Sequence, residues 1–553
     1  MELETVLGIK QVDQPPSDLR GILQTKDYHR FMILSDTGNL LHEFMGSKKA
    51  NRCLPGDHVA WIQEQCELEL RDQHPLLVGT LELTSKTTYG MTKRKHMMYL
   101  FVPYDKRYPS FVVGSSEKDR SQNKIVIVSL EDWTGTFPRG CIQQTLGYSG
   151  EEKAEREALV WQACPWRYPV FDYAPTLRSK VPRTPIKGHT FHIDPEGCKD
   201  VDDVFTFEKV EEGWKVTITI SDVAAFVEDG GAVDIMASLI GQTLYDAEGR
   251  VIRPMLPSDY SEKVCSLLPG KPGYGISLSF LWTGEICEIR WFHSILEVHQ
   301  TYTYESFSAS SSPYLQPLKE IASYLAKEPV EDSHEWVAQM MIFYNTEAGR
   351  WLKKAGQGIL RRHSEPKWDQ LERYKAHVPE LEKLAFSSAE YCLGEESHTR
   401  HYGLDTDTYA HASSPIRRYA DLINQRILTR LIQGSTEYFI VPQAMYDMNV
   451  RVKAIRHFAR DMTYLEAILT GRTEFQGIIM DKKEKEGWMK IKLYVPMWKR
   501  MVSTTYRMIS EDRVLSRDES VEIEVPLYRE VQIKCAFSLQ ARNWKERVVF
   551  QIS

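Results

Sequence analysis

Four aspartates, Asp194, Asp200, Asp202 and Asp203, fall inside ten positions of the stretch "HIDPEGCKDVDDVF", His192 to Phe205. Two carboxylates about 4 Å apart repel by roughly 4 kcal/mol at an effective dielectric near 20, so four that converge need a cation or a proton among them. One bland reading is an exposed acidic turn, because aspartate is common in turns. A calcium loop fails on spacing: counted from Asp200, the fifth and sixth positions are Val204 and Phe205, where such a loop needs an oxygen ligand and a glycine. Zinc through His189, His192 and Cys198 lacks a second pair of soft ligands nearby. Magnesium suits the donors better. It takes a few carboxylates together with water and substrate phosphate, and two such ions can flank an attack at phosphorus.

A second constellation lies two hundred residues downstream, in "YAHASSPIRRYADLINQRI". The spacing predicts a helix with Ser414 as N-cap and Pro415 as its first residue, its inner face formed by Ile416, Tyr419, Ile423, Ile427 and Leu431. Arg417 and Arg418 would then sit in the first turn, where the helix dipole disfavours cations by a few tenths of a kcal/mol. Such placement asks for an anion. Free backbone N–H groups beside a guanidinium make a phosphate receptor, for which Arg417 is the stronger candidate. Arg418 has a structural alternative, solvation or a pair with Asp421.

The elements that must position these residues follow from patterning. At 553 residues the chain exceeds one core, and about 150 residues per domain gives three or four folding units. Short β-rich runs broken by turns ("RGILQT", "HRFMILS", "HVAWIQ") predict a small barrel, and "LLVGTLELTS" through "NKIVIVSL" predicts a second. "GEEKAEREALVWQA" is helical in composition, and the proline-rich stretch after it reads as linker. The centre mixes sheet and helix: "GWKVTITISDVAAFV" alternates like a strand with one buried face. Met445, Met448, Val452, Ile455, Phe458, Met462, Leu465 and Leu469 form a helical stripe that reads as core packing. Alternation returns from Glu474, a third barrel candidate.

Composition excludes several classes. A formal charge of −7 carries no global sign of nucleic-acid binding, although a local basic groove needs only local potential. Nine cysteines without a C-x-x-C pair argue against a disulfide framework and a clustered structural zinc. The start "MELETVLGIKQVDQPP" lacks the features of a secretory signal, and no apolar run reaches about 18 residues, so an intracellular, cytoplasmic protein without a membrane role is expected.

A carboxylate cluster for metals and an arginine for phosphate, flanked by small barrels, suggest a nuclease acting on a single strand. The segments "HIDPEGCKDVDDVF", "RPMLPSDYSEKVCSLLPG" and "HYGLDTDTYAHASSPIRRYADL", in this order, resemble the RNB catalytic domain of the ribonuclease II superfamily over roughly 165 to 470. The resemblance implies a multidomain α+β protein: cold-shock-type OB barrels at 1–76 and 77–148, a linker at 149–188, the catalytic domain at 189–471 and an OB barrel at 472–553. It implies processive hydrolysis of RNA from a free 3′ end to nucleoside 5′-monophosphates, with one or two magnesium ions that manganese can replace. By position, Asp194 and Asp203 match the direct metal ligands, Asp200 a supporting or second-metal ligand, Asp202 the acid most sensitive to substitution and Arg417 the phosphate-binding arginine. Tyr304 falls where the family has a tyrosine near the scissile phosphate. Tyr245 corresponds to a base-stacking aromatic, although two extra residues before "RPMLP" weaken that match.

Two departures stand out: Gln339 and Ala459 replace glutamates of the bacterial enzyme, which motivates the rival reading of an RNA-binding relative that has lost turnover. The second barrel is more similar to the eukaryotic exosome-nuclease branch. With no endonuclease domain expected ahead of it, the resemblance implies a free-standing monomer outside the exosome. In the barrels, Lys93, Arg94 and Lys95, and Trp498, Lys499 and Arg500, interleave charge with aromatic residues, as backbone tracking and base stacking require. They and Arg418 are the expected RNA contacts, against the plain alternative of solvated faces.

Overall fold

The structure, a computed structural model, describes residues 19–553 apart from positions 37, 247 and 436 and segments 72–75, 170–173, 379–388, 438–441, 539–540 and 542–543. Residues 1–18 of the expected first barrel and 170–173 of the expected linker therefore lie outside the described residues. The chain forms two compact units.

The first unit contains residues up to Pro165 together with Ala467–Thr473 and Cys535–Val549. Strands β1 (Leu19–Thr25), β2 (Arg30–Leu34), β3 (Leu40–Met45), β4 (His58–Ile62) and β5 (Gln65–Leu70) make an open antiparallel sheet in the order β3-β2-β1-β4-β5. Alternate residues point inward, so Leu23, Phe31, Ile33 and Val59 form its core. Strands β6 (Leu77–Leu81), β7 (Met97–Pro103), β8 (Phe111–Ser115), β9 (Lys124–Asp132) and β10 (Arg139–Tyr148) close into a barrel in which β8 and β10 run parallel. Gly79 permits the close approach of β6 to β7, since a Cβ there would lie 2.3 Å from the Val102 carbonyl oxygen. Helix α1 (Glu152–Ala163) buries Ala154, Ala158 and Leu159, so the start of the expected linker is an ordered helix. Its Glu155 is ion-paired with Arg547, a fully buried arginine that also donates to Thr80 Oγ1 at 2.7 Å and lies over the Tyr104 ring.

The second unit contains Trp166–Glu466, Glu474–Lys534 and Phe550–Ser553. Its central sheet is built from β11 (Thr184–Pro185), β12 (His189–Ile193), β13 (Asp203–Val210) and β14 (Gly213–Ser221). After a hairpin of β15 (Leu244–Tyr245) and β16 (Val251–Arg253) it continues with β17 (Gly273–Trp282), β18 (Ile286–Leu296) and β19 (Gln300–Tyr302). The order is β11-β18-β17-β14-β13-β12-β19, with β12 and β19 parallel and the inner pairs antiparallel.

Helix α2 (Ala232–Ile240) precedes the hairpin. Helices α3 (Tyr304–Ser308), α4 (Leu315–Ala326) and α5 (Ser333–Lys354) follow the sheet. Phe191, Phe205, Ile218 and Leu278 of the sheet pack with Phe307, Leu318, Ile321, Met340 and Tyr344 in one core. A short pair, β20 (Ile359–Arg362) and β21 (Glu390–Leu393), encloses helix α6 (Trp368–His377) in sequence, and helices α7 (Tyr419–Ile432) and α8 (Pro442–Leu469) come next. Met445, Met448, Phe458, Met462 and Leu465 of the α8 stripe are buried. From Glu474 a seven-stranded sheet follows, whose first strand, Glu474–Lys485, pairs with both Trp488–Val495 and Glu530–Phe537.

One local expectation is corrected. Helix α7 begins at Tyr419 with Arg418 as an extended N-cap, so Ser414–Arg417 form a turn and neither arginine lies in the first helical turn. Tertiary bonds hold that turn open. The Ser414 N–H donates to Asp421 Oδ1 at 2.8 Å, the Ile416 N–H to Asp202 Oδ1 at 2.9 Å, and the Arg417 carbonyl accepts from the Thr243 N–H at 3.0 Å.

Candidate active site

The acidic cluster sits at one end of the central sheet. Asp194 directly follows β12, Asp203 opens β13, and the intervening loop returns the chain through a turn in which the Cys198 N–H donates to the Pro195 carbonyl at 3.2 Å. Backbone bonds pin the loop at both ends: the Asp194 N–H donates to the Tyr302 carbonyl at 3.1 Å, and the Ser221 N–H to the Asp202 carbonyl at 2.8 Å. Because β19 runs parallel beside β12, its exit places Tyr304 at this same end of the sheet.

The four carboxylates have different environments. Asp202 is buried, accepts from the Ile416 N–H and lies 3.3 Å from Arg417 Nε. Burial pushes its carboxyl up to about 7, against the opposing pull of Arg417. Asp203 is raised well above the usual carboxylate range by burial and by the neighbouring Asp194 and Asp202. Asp200 is raised by burial and accepts a weak bond from the Cys198 thiol, whose sulfur lies 3.7 Å away. Asp194, half-buried, is bonded to His192 Nδ1 at 2.8 Å.

Arg417 links the two constellations. Its Nη2 donates to Ser414 Oγ at 3.2 Å, its Nε faces Asp202, and it interacts with the Tyr245 hydroxyl. Burial opposes its charge, but Asp202, Tyr245, Asp203 and Asp200 outweigh that and hold the guanidinium above its ordinary value. The side chain remains 47% exposed, so part of this cation faces open space. Burial raises the Tyr304 phenol to about 12, helped by Asp194 and Asp203. Burial likewise raises Tyr245 to about 12, with Arg417 opposing and Asp200 and Asp202 adding to the rise.

Two stretches of the chain, 185–316 and 312–434, match the family model of the RNB domain. Residues 185–434 of the chain thus form an RNB domain. A further stretch, 98–163, matches the Dis3-like cold-shock domain 2 (CSD2). The chain is 22% identical over 461 residues to the exosome complex exonuclease RRP44 of Mus musculus, an alignment covering 66% of this chain and 48% of RRP44. It thus spans about half the length of the curated relatives it matches. In fold it is similar to the apo form of Mycoplasma genitalium RNase R, with a TM-score of 0.71 at 15% identity over 97% of this chain and 100% of the other. It is also similar to yeast Ssd1, described as a pseudonuclease, with a TM-score of 0.63 at 16% identity over 89% of this chain and 79% of the other.

The RNB domain brings Asp200, Asp202, Asp203 and Tyr245 within electrostatic reach of Arg417, and Tyr304 within reach of Asp194, Asp203 and Arg417. It does not place Arg418 there as a free cation. The Arg418 guanidinium donates to Asp421 Oδ2 and Oδ1 at 2.9 and 2.7 Å and to Ser413 at 3.4 Å, so its expected RNA contact is replaced by bracing the turn. The expected backbone receptor is corrected too: the Ile416 N–H is taken by Asp202, and those of Arg417 and Arg418 by the Ser414 carbonyl. Trp498 packs on Phe475, Tyr464 and Phe550 with ring centroids 4.2, 5.2 and 6.1 Å away, which makes it a packing residue rather than a free stacking platform. Lys93, Arg94, Lys95 and Lys499 are exposed, and Arg500 is half-buried. Gln339 is half-buried on α5 and Ala459 exposed on α8.

Among the described residues no three His, Cys, Asp or Glu side chains converge closely enough to cage an ion by themselves. The donor chemistry nevertheless fits a hard divalent cation. Asp203 is raised by burial and then by its negative neighbours Asp194 and Asp202, a crowding that a cation would relieve, and magnesium completes its shell with water and substrate oxygens. Zinc fits poorly, because it takes three or four nitrogen or sulfur ligands, no such set converges among the described residues, and burial pushes the Cys198 thiol above its ordinary value. Reading by residue type missed His192 as the anchor of Asp194. The signal was present, since residues two apart at a strand end share a face.

Proposed function

We propose that this chain is a magnesium-dependent 3′-to-5′ exoribonuclease that hydrolyses single-stranded RNA processively to nucleoside 5′-monophosphates. The observation that carries the reading is the meeting of crowded carboxylates with a partly exposed Arg417 at one end of the RNB sheet. The substrate class is supported by the relatives: Mycoplasma genitalium RNase R was solved with ribose-methylated single-stranded RNA, and RRP44 is named an exonuclease.

In this reading Asp194 and Asp203 hold the cation directly and Asp200 supports it. Such a cation would supply Lewis-acid stabilisation of the phosphoryl oxygens and lower the pKa of an attacking water. Arg417, steadied by Asp202 and Ser414, presents its remaining N–H groups to the non-bridging oxygens, where fixed donors stabilise the charge that develops. Asp202 thus orients Arg417 and, through the Ile416 N–H, the turn that carries it. Tyr304 places its hydroxyl beside the carboxylates, and Tyr245 bounds the pocket on the Arg417 side. The exposed Lys93, Arg94 and Lys95 loop and Lys499 are assigned to backbone phosphates. We assign catalysis to residues 189–471 and RNA contact to the β-rich regions within 1–76, 77–148 and 472–553.

A second reading, an RNA-binding relative without turnover, is favoured by the fold similarity to Ssd1 and by Gln339 and Ala459. The assay that separates the two follows 5′-monophosphate release from a 3′-accessible single-stranded RNA with magnesium. Wild type is expected to release mononucleotides, and Asp202→Asn to be slower by about 100-fold or more, since it removes the charge that steadies Arg417. RNA bound by wild type without mononucleotide release would establish the binding reading instead.

A further inference from the structure

Among the described residues Tyr304 is the one aromatic residue of the site held by a second ring, and that ring comes from a different helix. The His334 imidazole stacks on the Tyr304 phenol with ring centroids 3.8 Å apart and planes 12° from parallel. His334 lies in the first turn of α5 and is itself fixed twice by the N-cap residue Asp332. The Asp332 Oδ1 accepts from the His334 N–H at 3.0 Å and lies 3.1 Å from its Nδ1. The next residue of the cap, Ser333, is buried and donates from its hydroxyl to the Tyr304 carbonyl at 3.0 Å. On the other side Thr303 caps α3 reciprocally with Ser306, which sets where the Tyr304 backbone begins its helix.

The start of α5 thus holds Tyr304 at both its carbonyl and its ring. Ser333 and the α3 cap fix the backbone, whereas the ring's rotation is restrained by the stack. His334 is 56% exposed in its side chain, so its role as packing is small. A surface imidazole oriented by its own N-cap and laid flat on a residue that faces the metal-binding carboxylates is placed to set that residue's orientation.

We propose that His334, oriented by Asp332, is a positioning residue that holds the Tyr304 hydroxyl at the angle the phosphate requires. The proposal rests on the exoribonuclease reading for its kinetic consequence but not for its structural one. A misplacement of about 1 Å can cost on the order of 100-fold, so His334→Ala is expected to lower kcat by about tenfold while KM stays within about twofold. His334→Phe, which restores a flat ring, is expected to recover most of kcat, and His334→Ala is expected to add little in a Tyr304→Ala background.

The structural arm uses 3-fluorotyrosine at position 304, read by fluorine NMR in the full chain. Removing the imidazole in His334→Ala should shift the resonance and broaden it as the ring reorients, and His334→Phe should restore a single narrow line. An unchanged resonance in His334→Ala would overturn the proposal. So would a loss of kcat in His334→Ala that His334→Phe does not recover. If wild type releases no mononucleotide, the exoribonuclease reading fails, and the fluorine resonance still decides whether His334 holds Tyr304.

Discussion

At the residue scale, the chemistry turns on how Arg417 divides its donors. One edge of the guanidinium is engaged by Asp202 and Ser414 inside the protein while part of the side chain stays exposed. A lysine would keep the charge but present a single point, unable to satisfy the buried carboxylate and a phosphate together. Arg417→Lys is therefore expected to bind single-stranded RNA within about threefold of wild type but to turn it over about 10- to 100-fold more slowly, measured by filter binding and by mononucleotide release. Arg418, its neighbour in sequence, has no such division: its donors go to Asp421 and Ser413, so identical residue types one position apart do different work.

At the scale of elements, the segment that leads into the turn before α7 contains imidazoles whose burial disfavours their charged form. The His401 ring lies 4.3 Å from the His363 ring and 5.3 Å from Tyr409, and its residue is buried. Burial first, then His363 and Arg361, lowers its pKa from 6.5 to about 4. Burial and Arg418 lower His411, in the same segment, well below its ordinary value. A depressed histidine favours the folded state fully above its unfolded pKa and loses that advantage as pH falls through its folded pKa. Stability should therefore fall between pH 6.5 and about 4, and His401 alone accounts for up to about 3 kcal/mol of this change. Urea denaturation at several pH values checks this, and His401→Phe, which keeps a flat ring without a titrating group, should show a shallower decline.

At the scale of the whole molecule, residues distant in sequence are tied inside one unit by a buried charge pair. Arg547, 0% exposed, reaches Glu155 of α1 and Thr80 of β6, 392 and 467 positions away in the chain. Such a pair adds little over an apolar substitute, but removing one partner strands the other in a dry interior. Arg547→Ala is expected to destabilise the protein by about 3 to 5 kcal/mol. The joint change Arg547→Met with Glu155→Leu should cost much less, as compared by denaturant midpoints.

Read from the sequence alone, the acid quartet, the paired arginines and the β-rich flanks around a mixed centre were legible, because residue type and local period are properties of neighbours in the chain. Four carboxylates in a tight run mark a candidate site from residue type alone, and strict alternation marks strands wherever they pack. The fold decided what depended on partners far away in sequence. It moved the first residue of α7 from Pro415 to Tyr419, where Asp202 and Asp421 take the N–H groups of Ile416 and Ser414. It turned Trp498 inward against Phe475 and laid His334 on Tyr304. Hydrogen bonds and ring contacts between residues far apart in the chain leave no period in the sequence, so only the tertiary structure could assign them.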